Sequence, residues 1–295
     1  MLDFRDMELL AALARHGHFG RAAEACGITQ PAFSTRIRNL EQRLGTPIVR
    51  RGHRFAGFTA EGEIALRWAR RFLQEAQSMR QDLTAARTGL TGMVRIGVVP
   101  TAATFAAQAT ILLRREHPGL NVELRSCSSD QIKLGLTDMS LDLGVTYLRT
   151  RFPPGIETRP LYDERYELIA PRRLVDPLRE TITWTEAAEL PLCLLSSDMN
   201  NRKIIDQVFT DLGVTPDLEL ETNAFTAALV QAAAGLAATI APEKLVETLP
   251  IRSELVGLPL TDPDVSEPIG LALQVQEPPS ATTTALIQAF TEAAS

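Results

Sequence analysis

Between Phe19 and Gly45 the sequence reads FGRAAEACGITQPAFSTRIRNLEQRLG, and no other stretch restricts the fold as tightly. Its first part, Arg21 to Cys26, is compact, alanine-rich and helical in pattern, and Gly27 breaks it. Thr29 offers a hydroxyl cap to a second helix, and Pro31 falls in that helix's first turn, where a missing amide hydrogen costs nothing. Phe33, Ile37, Leu40 and Leu44 recur at helical spacing and mark a buried face. At about 100° per residue, Gln30, Pro31, Ser34, Thr35 and Arg38 fall on the opposite face. That face carries an amide, two hydroxyls and a guanidinium, and no acid. Such groups hydrogen-bond base edges and phosphates in a major groove. A solvated amphipathic helix would show the same residues. The short turn and the small-residue first helix favour a helix-turn-helix.

Charge is divided along the chain in the same sense. Residues 1–90 hold 14 Arg, no Lys and 9 acidic residues, a net +5. The remainder holds 16 basic and 27 acidic residues, a net −11, and the two sum to the overall −6. A basic head on an acidic body suits a nucleic-acid binder whose remaining mass has another task.

With 295 residues the chain can form two or three compact units. Its 45% apolar and 22% charged residues are a globular balance, and no apolar run reaches the length of a membrane span. The opening MLDFRDMELL lacks the basic-then-apolar pattern of an export signal, so a cytoplasmic location and no membrane partner are expected. Cys26, Cys127 and Cys193 are far apart and sit among apolar neighbours, which reads as buried structural thiols. His16, His18, His53 and His117 show no metal-ligand spacing with them, so no metal is expected.

In chain order, Asp3 can cap a first helix with Phe4, Met7, Leu10, Ala11 and Ala14 on one face, ended by Gly17. After the breaker Thr46-Pro47, Ile48–Arg50 and Arg54–Ala56 flank Arg51-Gly52-His53 as a short hairpin. Its tip gathers Arg50, Arg51 and Arg54, placed to lie along a sugar-phosphate backbone. Thr59 begins a long helix. Ala65, Ala69, Phe72, Ala76, Met79, Leu83 and Ala86 form a heptad seam in it, which predicts helix pairing and a dimer. Thr88–Gly92 reads as a linker. Beyond it come strand 94–98, helix 102–116, strand 122–126, helix 131–137 and strand 141–146. A second set follows with strands 166–170, 192–195, 219–222 and 239–241, and helices 200–212 and 226–234. Strand 269–275 and helix 282–293 close the chain. The alternation predicts a parallel, doubly wound arrangement in two lobes, with a ligand cleft lined by strand ends and helix N-termini. Thr101, Ser128-Ser129 and Asn201-Arg202 fall at such helix starts, where backbone amides, hydroxyls and an arginine suit a small anion.

These residues resemble the LysR-type transcriptional regulators over essentially the whole chain. AAE, Q-P-A-x-S, I-R-x-L-E and L-G-x-P stand at the spacing of that family, followed by T-A-E-G-E. R-I-G-x-x-P from Arg95, L-D-L-G from Leu141 and G-L-A-A-T-I-A-P from Gly235 are softer matches. The resemblance implies an α/β protein with an N-terminal winged helix-turn-helix (1–58) and a long dimerising linker helix (59–90). A two-lobed effector domain similar to periplasmic solute-binding proteins would occupy 91–295, with lobe I at 91–163 and 267–295 and lobe II at 164–266. It implies promoter DNA, further copies of the chain up to a tetramer, a small-molecule effector and RNA polymerase as partners, and no cofactor. Its DNA-contacting set would be Gln30, Pro31, Ser34, Arg36, Arg38, Arg50, Arg51 and Arg54. Its effector set would be Thr101, Ser128, Ser129, Tyr147, Arg149, Asn201, Arg202 and Asn223. Three positions depart from the family pattern: Gly20 where a hydroxyl cap is usual, Met139 for a turn glycine, and Ala237 for a second glycine.

Two other classes fit the sequence less well. An enzyme would show a nucleophile elbow, a P-loop, a dinucleotide fingerprint or a carboxylate–histidine pair, and none is present; Asp142 and Asp198 read as a strand-end and a helix-cap acid. A free solute-binding receptor would fit the α/β half but not the fused basic head.

Overall fold

A computed structural model describes residues 3–50, 55–176, 178–248 and 254–295. The chain divides into two compact units, joined at Thr88-Gly89.

The first unit opens with α1 (Phe4–His16), α2 (Phe19–Ala25) and α3 (Gln30–Leu44). Asp3 and Asp6 close a reciprocal capping box on α1, and Gly17 ends it in the left-handed region. Thr29 caps α3 and Gly45 ends it at φ 71°. Leu9, Leu10, Leu13, Ala22, Ala23, Phe33, Ile37 and Leu40 form the core beneath them. The expected hairpin is narrower than its sequence suggests. Val49 pairs with Phe58 rather than with Phe55 or Ala56, and Arg50 N–H donates to the Gly57 carbonyl. Its tip, Arg51 to Arg54, lies outside the described residues. Helix α4 (Ala60–Thr88) follows, with Thr59 accepting from the Gly62 amide at 2.9 Å.

α4 corrects the predicted seam. Ala65 and Ala69, its first two positions, pack with Leu66 and Leu73 into the unit's own core. Ala76 is half-buried, while Phe72, Met79 and Leu83 are exposed. The outward stripe instead begins at Ile64 and Trp68, the latter 64% exposed. The physical reason is that the first turns of α4 have two apolar faces, and α1 occupies the one that holds the alanines.

The second unit contains β1 (Gly92–Val98), α5 (Ala103–Glu116, led in by a 3-10 turn at Pro100–Ala102), β2 (Leu120–Ser126), α6 (Ser129–Thr137), β3 (Leu143–Tyr147) and β4 (Ile156–Glu164). It continues with β5 (Tyr166–Pro171), β6 (Ile182–Thr183), α7 (Trp184–Ala188), β7 (Leu192–Leu195), α8 (Asn200–Leu212) and β8 (Leu218–Thr222). The last elements are α9 (Phe225–Ala233), β9 (Thr239–Pro242), α10 (Glu243–Thr248), β10 (Leu255–Thr261), β11 (Glu267–Gln274) and α11 (Ala281–Ala294). One sheet runs β2-β1-β3-β11-β4, another β6-β10-β5-β9, and β7 and β8 form a parallel pair joined to β9 by a Leu192–Ala238 bridge. Two lobes are thus present, but their sheets are mixed rather than wholly parallel. β1 lies parallel to β2 and β3, whereas β11 returns antiparallel to both β3 and β4. The chain leaves the first lobe through β4 and re-enters it through β11, and that return sets the reversed strands.

Gly144 on β3 lets α6 approach the sheet, since an added Cβ would meet Ile132 Cγ2 at 2.4 Å. Met139 occupies the left-handed region at φ 59°, where a β-carbon costs about 1–2 kcal/mol. Met139→Gly is therefore expected to stabilise the chain by about 1 kcal/mol, after the extra unfolded-state entropy of glycine is deducted. Chemical denaturation checks this; a less stable variant would show that the methionine side chain compensates for its backbone.

Candidate functional site

The polar face of α3 is presented outward. Gln30, Pro31, Thr35, Arg36 and Arg38 are exposed and Ser34 is half-buried, while Phe33, Ile37 and Leu40 hold the opposite face in the core. The arginines of this unit fall into two sets. Arg43 is tied to the buried Asp6 at 2.5 Å and Arg5 to Glu8 at 2.6 Å. Arg36, Arg38 and Arg50 form no ion pair among the described residues, so their charge remains available to a polyanion. Arg51 and Arg54 lie outside the described residues.

The motif residues around this face are architecture. Ala22 and Ala23 are buried where α2 meets α3. Glu41 accepts from the Ile48 and Val49 amides at 2.9 and 3.2 Å, which fixes the segment after Pro47. Gly62 is required because a Cβ there would sit 1.9 Å from the Ile48 carbonyl oxygen. Gly20 is not a cap position: His18 caps α2 through Nδ1, 3.0 Å from the Gly20 amide, and a Cβ at Gly20 would crowd that ring.

In the second unit the candidate effector residues form two groups. In the first lobe, Thr101 Oγ1 lies 3.1 Å from the Tyr147 hydroxyl, and Thr146 donates to Ser129 Oγ at 3.0 Å. Ser128 exchanges hydrogen bonds with Gln131 to cap α6. Arg149 is exposed and paired with Glu267 at 3.1 Å. In the second lobe, Asn201 is buried, and neither atom of its amide finds a partner among the described residues. Arg202 is committed, donating to Asp206 at 2.7 Å and to Glu221 and the Leu195 carbonyl at 2.8 Å. It therefore joins α8 to β7 and β8 rather than presenting a free guanidinium. Asn223 is exposed ahead of α9. No hydrogen bond joins the two groups among the described residues.

Side-chain capping is uneven among the helix starts. α1, α2, α3, α7 and α11 each begin under a side-chain cap. The turn leading into α5, α8 and α9 have none, and these are the starts that carry Thr101, Asn201 and Asn223. Asp198 does not cap α8, whose N-cap is Met199. Asp142 exchanges bonds with the Arg95 backbone at 2.7 and 2.8 Å, a strand-end role. Ala237 fits without strain in a small cluster with Cys193 and Ala228, because Gly235 takes the positive φ of that segment.

One central residue escaped the sequence reading. Glu164, at the end of β4, is fully buried and accepts from the Tyr147 hydroxyl at 2.6 Å. Burial pushes its carboxyl up to about 7, against the lowering effect of the hydroxyls of Tyr147, Thr101 and Tyr166. All three tyrosines of the chain, Tyr147, Tyr162 and Tyr166, surround it, and burial raises each phenol. The signal was present in L-Y-D-E-R-Y-E-L, where residues 162, 164 and 166 alternate onto one face of an extended strand.

Among the described residues no cluster of His, Cys, Asp and Glu could hold a metal ion, and no helix is long and apolar enough to cross a membrane. Residues 4–63 match the model of the bacterial regulatory helix-turn-helix protein, lysR family, and residues 87–295 match the LysR substrate binding domain. The DNA-binding transcriptional dual regulator OxyR of Escherichia coli (strain K12) is 28% identical over 278 residues, 94% of this chain and 91% of that protein. A full-length OxyR variant from Pseudomonas aeruginosa superposes with a TM-score of 0.78 at 21% identity, over 100% of this chain and 95% of that one. Full-length CbnR in complex with its target DNA covers 100% of both chains, with a TM-score of 0.64 at 21% identity.

Proposed function

Because the chain belongs to the LysR family of transcriptional regulators, we propose that it reads promoter DNA through the outward face of α3 and responds to a small anion bound between the lobes of its second unit. The division of labour is 1–58 for DNA, 59–90 for pairing and 91–295 for the effector, with lobe I at 91–163 and 267–295 and lobe II at 164–266. Gln30, Pro31, Ser34, Arg36 and Arg38 are the groove-facing set and Arg50, Arg51 and Arg54 the wing. Ile64, Trp68, Phe72, Met79 and Leu83 supply the pairing stripe of a dimer, from which tetramers and contact with RNA polymerase are built. The observation that carries the DNA assignment is that Arg36, Arg38 and Arg50 lack ion-pair partners among the described residues while Arg5 and Arg43 are paired. Ser34→Ala and Arg38→Ala are expected to weaken specific binding to the promoter region of its own gene by about 1–3 kcal/mol each. Arg50→Ala should weaken all sequences alike and reduce the salt slope by about one. Gel-shift titrations at several salt concentrations measure both; unchanged affinity in all three variants sinks the assignment.

The anion rests on the uncapped starts of α5, α8 and α9 and on the partnerless amide of Asn201. Arg202 contributes as the brace that positions Asn201. The names of several relatives concern hydrogen peroxide, and peroxide sensing by a thiol needs a stabilised thiolate. Only Cys193 is buried, Cys26 and Cys127 being half-buried against expectation, but desolvation pushes all three thiols up, so the anion is the reading we favour.

A further inference from the structure

We propose that the Thr101–Tyr147–Glu164 hydrogen-bond chain makes ligand uptake proton-coupled: the anion enters at Thr101 together with one proton taken from solvent onto Glu164. This rests on the interlobe-anion reading above and adds to it how the site is controlled.

Tyr147 has one hydroxyl hydrogen and stands between Thr101 Oγ1 at 3.1 Å and Glu164 Oε1 at 2.6 Å. When Glu164 is ionised, it can only accept, so the tyrosine hydrogen goes to it. Thr101 must then donate to the Tyr147 oxygen, and its single hydrogen is consumed. When Glu164 is protonated on Oε1, that O–H donates to the Tyr147 oxygen, which leaves the Tyr147 hydrogen free to turn to Thr101 Oγ1. The Thr101 hydrogen is then released to a ligand that accepts hydrogen bonds. Neutralising Glu164 also removes the repulsion between a buried carboxylate and an arriving anion. Both effects act in the same direction.

The surroundings allow the proton to be gained and lost. Glu164 stands opposite Glu267 in the β4–β11 register, and that neighbouring negative charge raises its carboxyl further. Arg149 neutralises Glu267 from the loop after β3, and Arg165, next in sequence, is held by Asp264 at 3.3 Å. Lys244 of α10 lies 5.8 Å from the centre of the Tyr162 ring. No cation pairs with Glu164 among the described residues. Its Oε2 and the Tyr166 hydroxyl are both buried without a hydrogen bond of good geometry among them, although the Tyr166 hydroxyl lies close enough to lower the carboxyl. Glu164 and Tyr166 flank the crossover from β4 to β5, so the proton sits where one lobe joins the other.

The chain carries its own probe, because every tyrosine it has lies against this carboxyl. Near-ultraviolet tyrosine difference spectra of the full chain between pH 5 and 9 should show one transition near the value of about 7 that burial gives Glu164. Glu164→Gln should abolish it. Sulfate, which does not titrate in this range, should raise the midpoint by about one pH unit or more. Its affinity by calorimetry should fall towards about tenfold per pH unit above the midpoint in the parent and stay flat in Glu164→Gln. Tyr147→Phe should raise the midpoint, because the ionised carboxylate loses its donor. A transition that is missing, or that survives Glu164→Gln, overturns the proposal, as does sulfate binding of equal strength at pH 6 and pH 8. Absence of binding heat with both sulfate and acetate, while the Glu164 transition persists, removes the anion reading itself, and the coupling goes with it.

Discussion

A chain carrying Trp68→Glu is expected to fold, to sediment as a monomer and to lose binding to the promoter region of its own gene. Trp68 is 64% exposed on α4, with the Arg71 guanidinium 5.6 Å from its ring centre. It lies one turn from Ile64 and one from Phe72, with Met79 and Leu83 further along the same stripe. An exposed row of large apolar side chains on a helix is the geometry of a pairing face, and aromatic anchors dominate such interfaces. Losing that anchor and burying a carboxylate against the partner helix should cost on the order of 3 kcal/mol or more, about a hundredfold or more in the dimer constant. DNA binding follows because two reading helices must span two half-sites. Ala69→Glu is the contrasting variant: Ala69 is wholly buried in the unit's own core, so the charge there should unfold the first unit rather than separate two chains. Sedimentation velocity and circular dichroism distinguish the two outcomes. A Trp68→Glu chain that remains dimeric would place the pairing surface elsewhere.

What the sequence disclosed and what it withheld have physical reasons. Elements with strong local signals were legible. Asp3, Thr29 and Ser128 cap the helices they precede, Gly17 and Gly45 end theirs, and the buried face of α3 is Phe33, Ile37 and Leu40 as the spacing predicts. The missed strands have weak ones. β4 is an edge strand with charged residues on both faces, and β10 contains Gly257 and Pro259. The seam on α4 was half legible, because period alone cannot say which of two apolar faces the chain keeps for itself. Tyr162 and Tyr166 flank Glu164 locally, but the hydroxyl that binds it and the acid opposite it come from other strands. Tyr147 lies 17 residues earlier in the chain and Glu267 on the returning strand. For the effector residues, sequence located helix starts correctly but could not show that Arg202 is already bound to Asp206 and Glu221.

Glu164→Gln is expected to make the protein more stable than its parent at pH 8 by about 3 kcal/mol, and no more stable near pH 4.5. The carboxyl titrates at about 7 when folded, against 4.5 for an ordinary glutamate. Below the unfolded value both states hold the proton, so the folded state bears no cost. As pH rises towards 7 the unfolded chain releases its proton and the folded chain does not, so the folded state becomes progressively less favoured. Above 7 both are ionised and the whole cost of a buried carboxylate without a cation is present. Glutamine keeps the shape and the acceptor for the Tyr147 hydroxyl at 2.6 Å, and its amide hydrogens can reach the otherwise partnerless Tyr166 oxygen. It lacks the charge, so its stability should not carry this slope. Urea unfolding of both proteins at pH 5, 6, 7 and 8, followed through tyrosine absorbance, measures the divergence. Two curves that stay parallel across this range would mean that Glu164 holds its proton equally in the folded and unfolded chains, and that the buried carboxyl is no part of any switch.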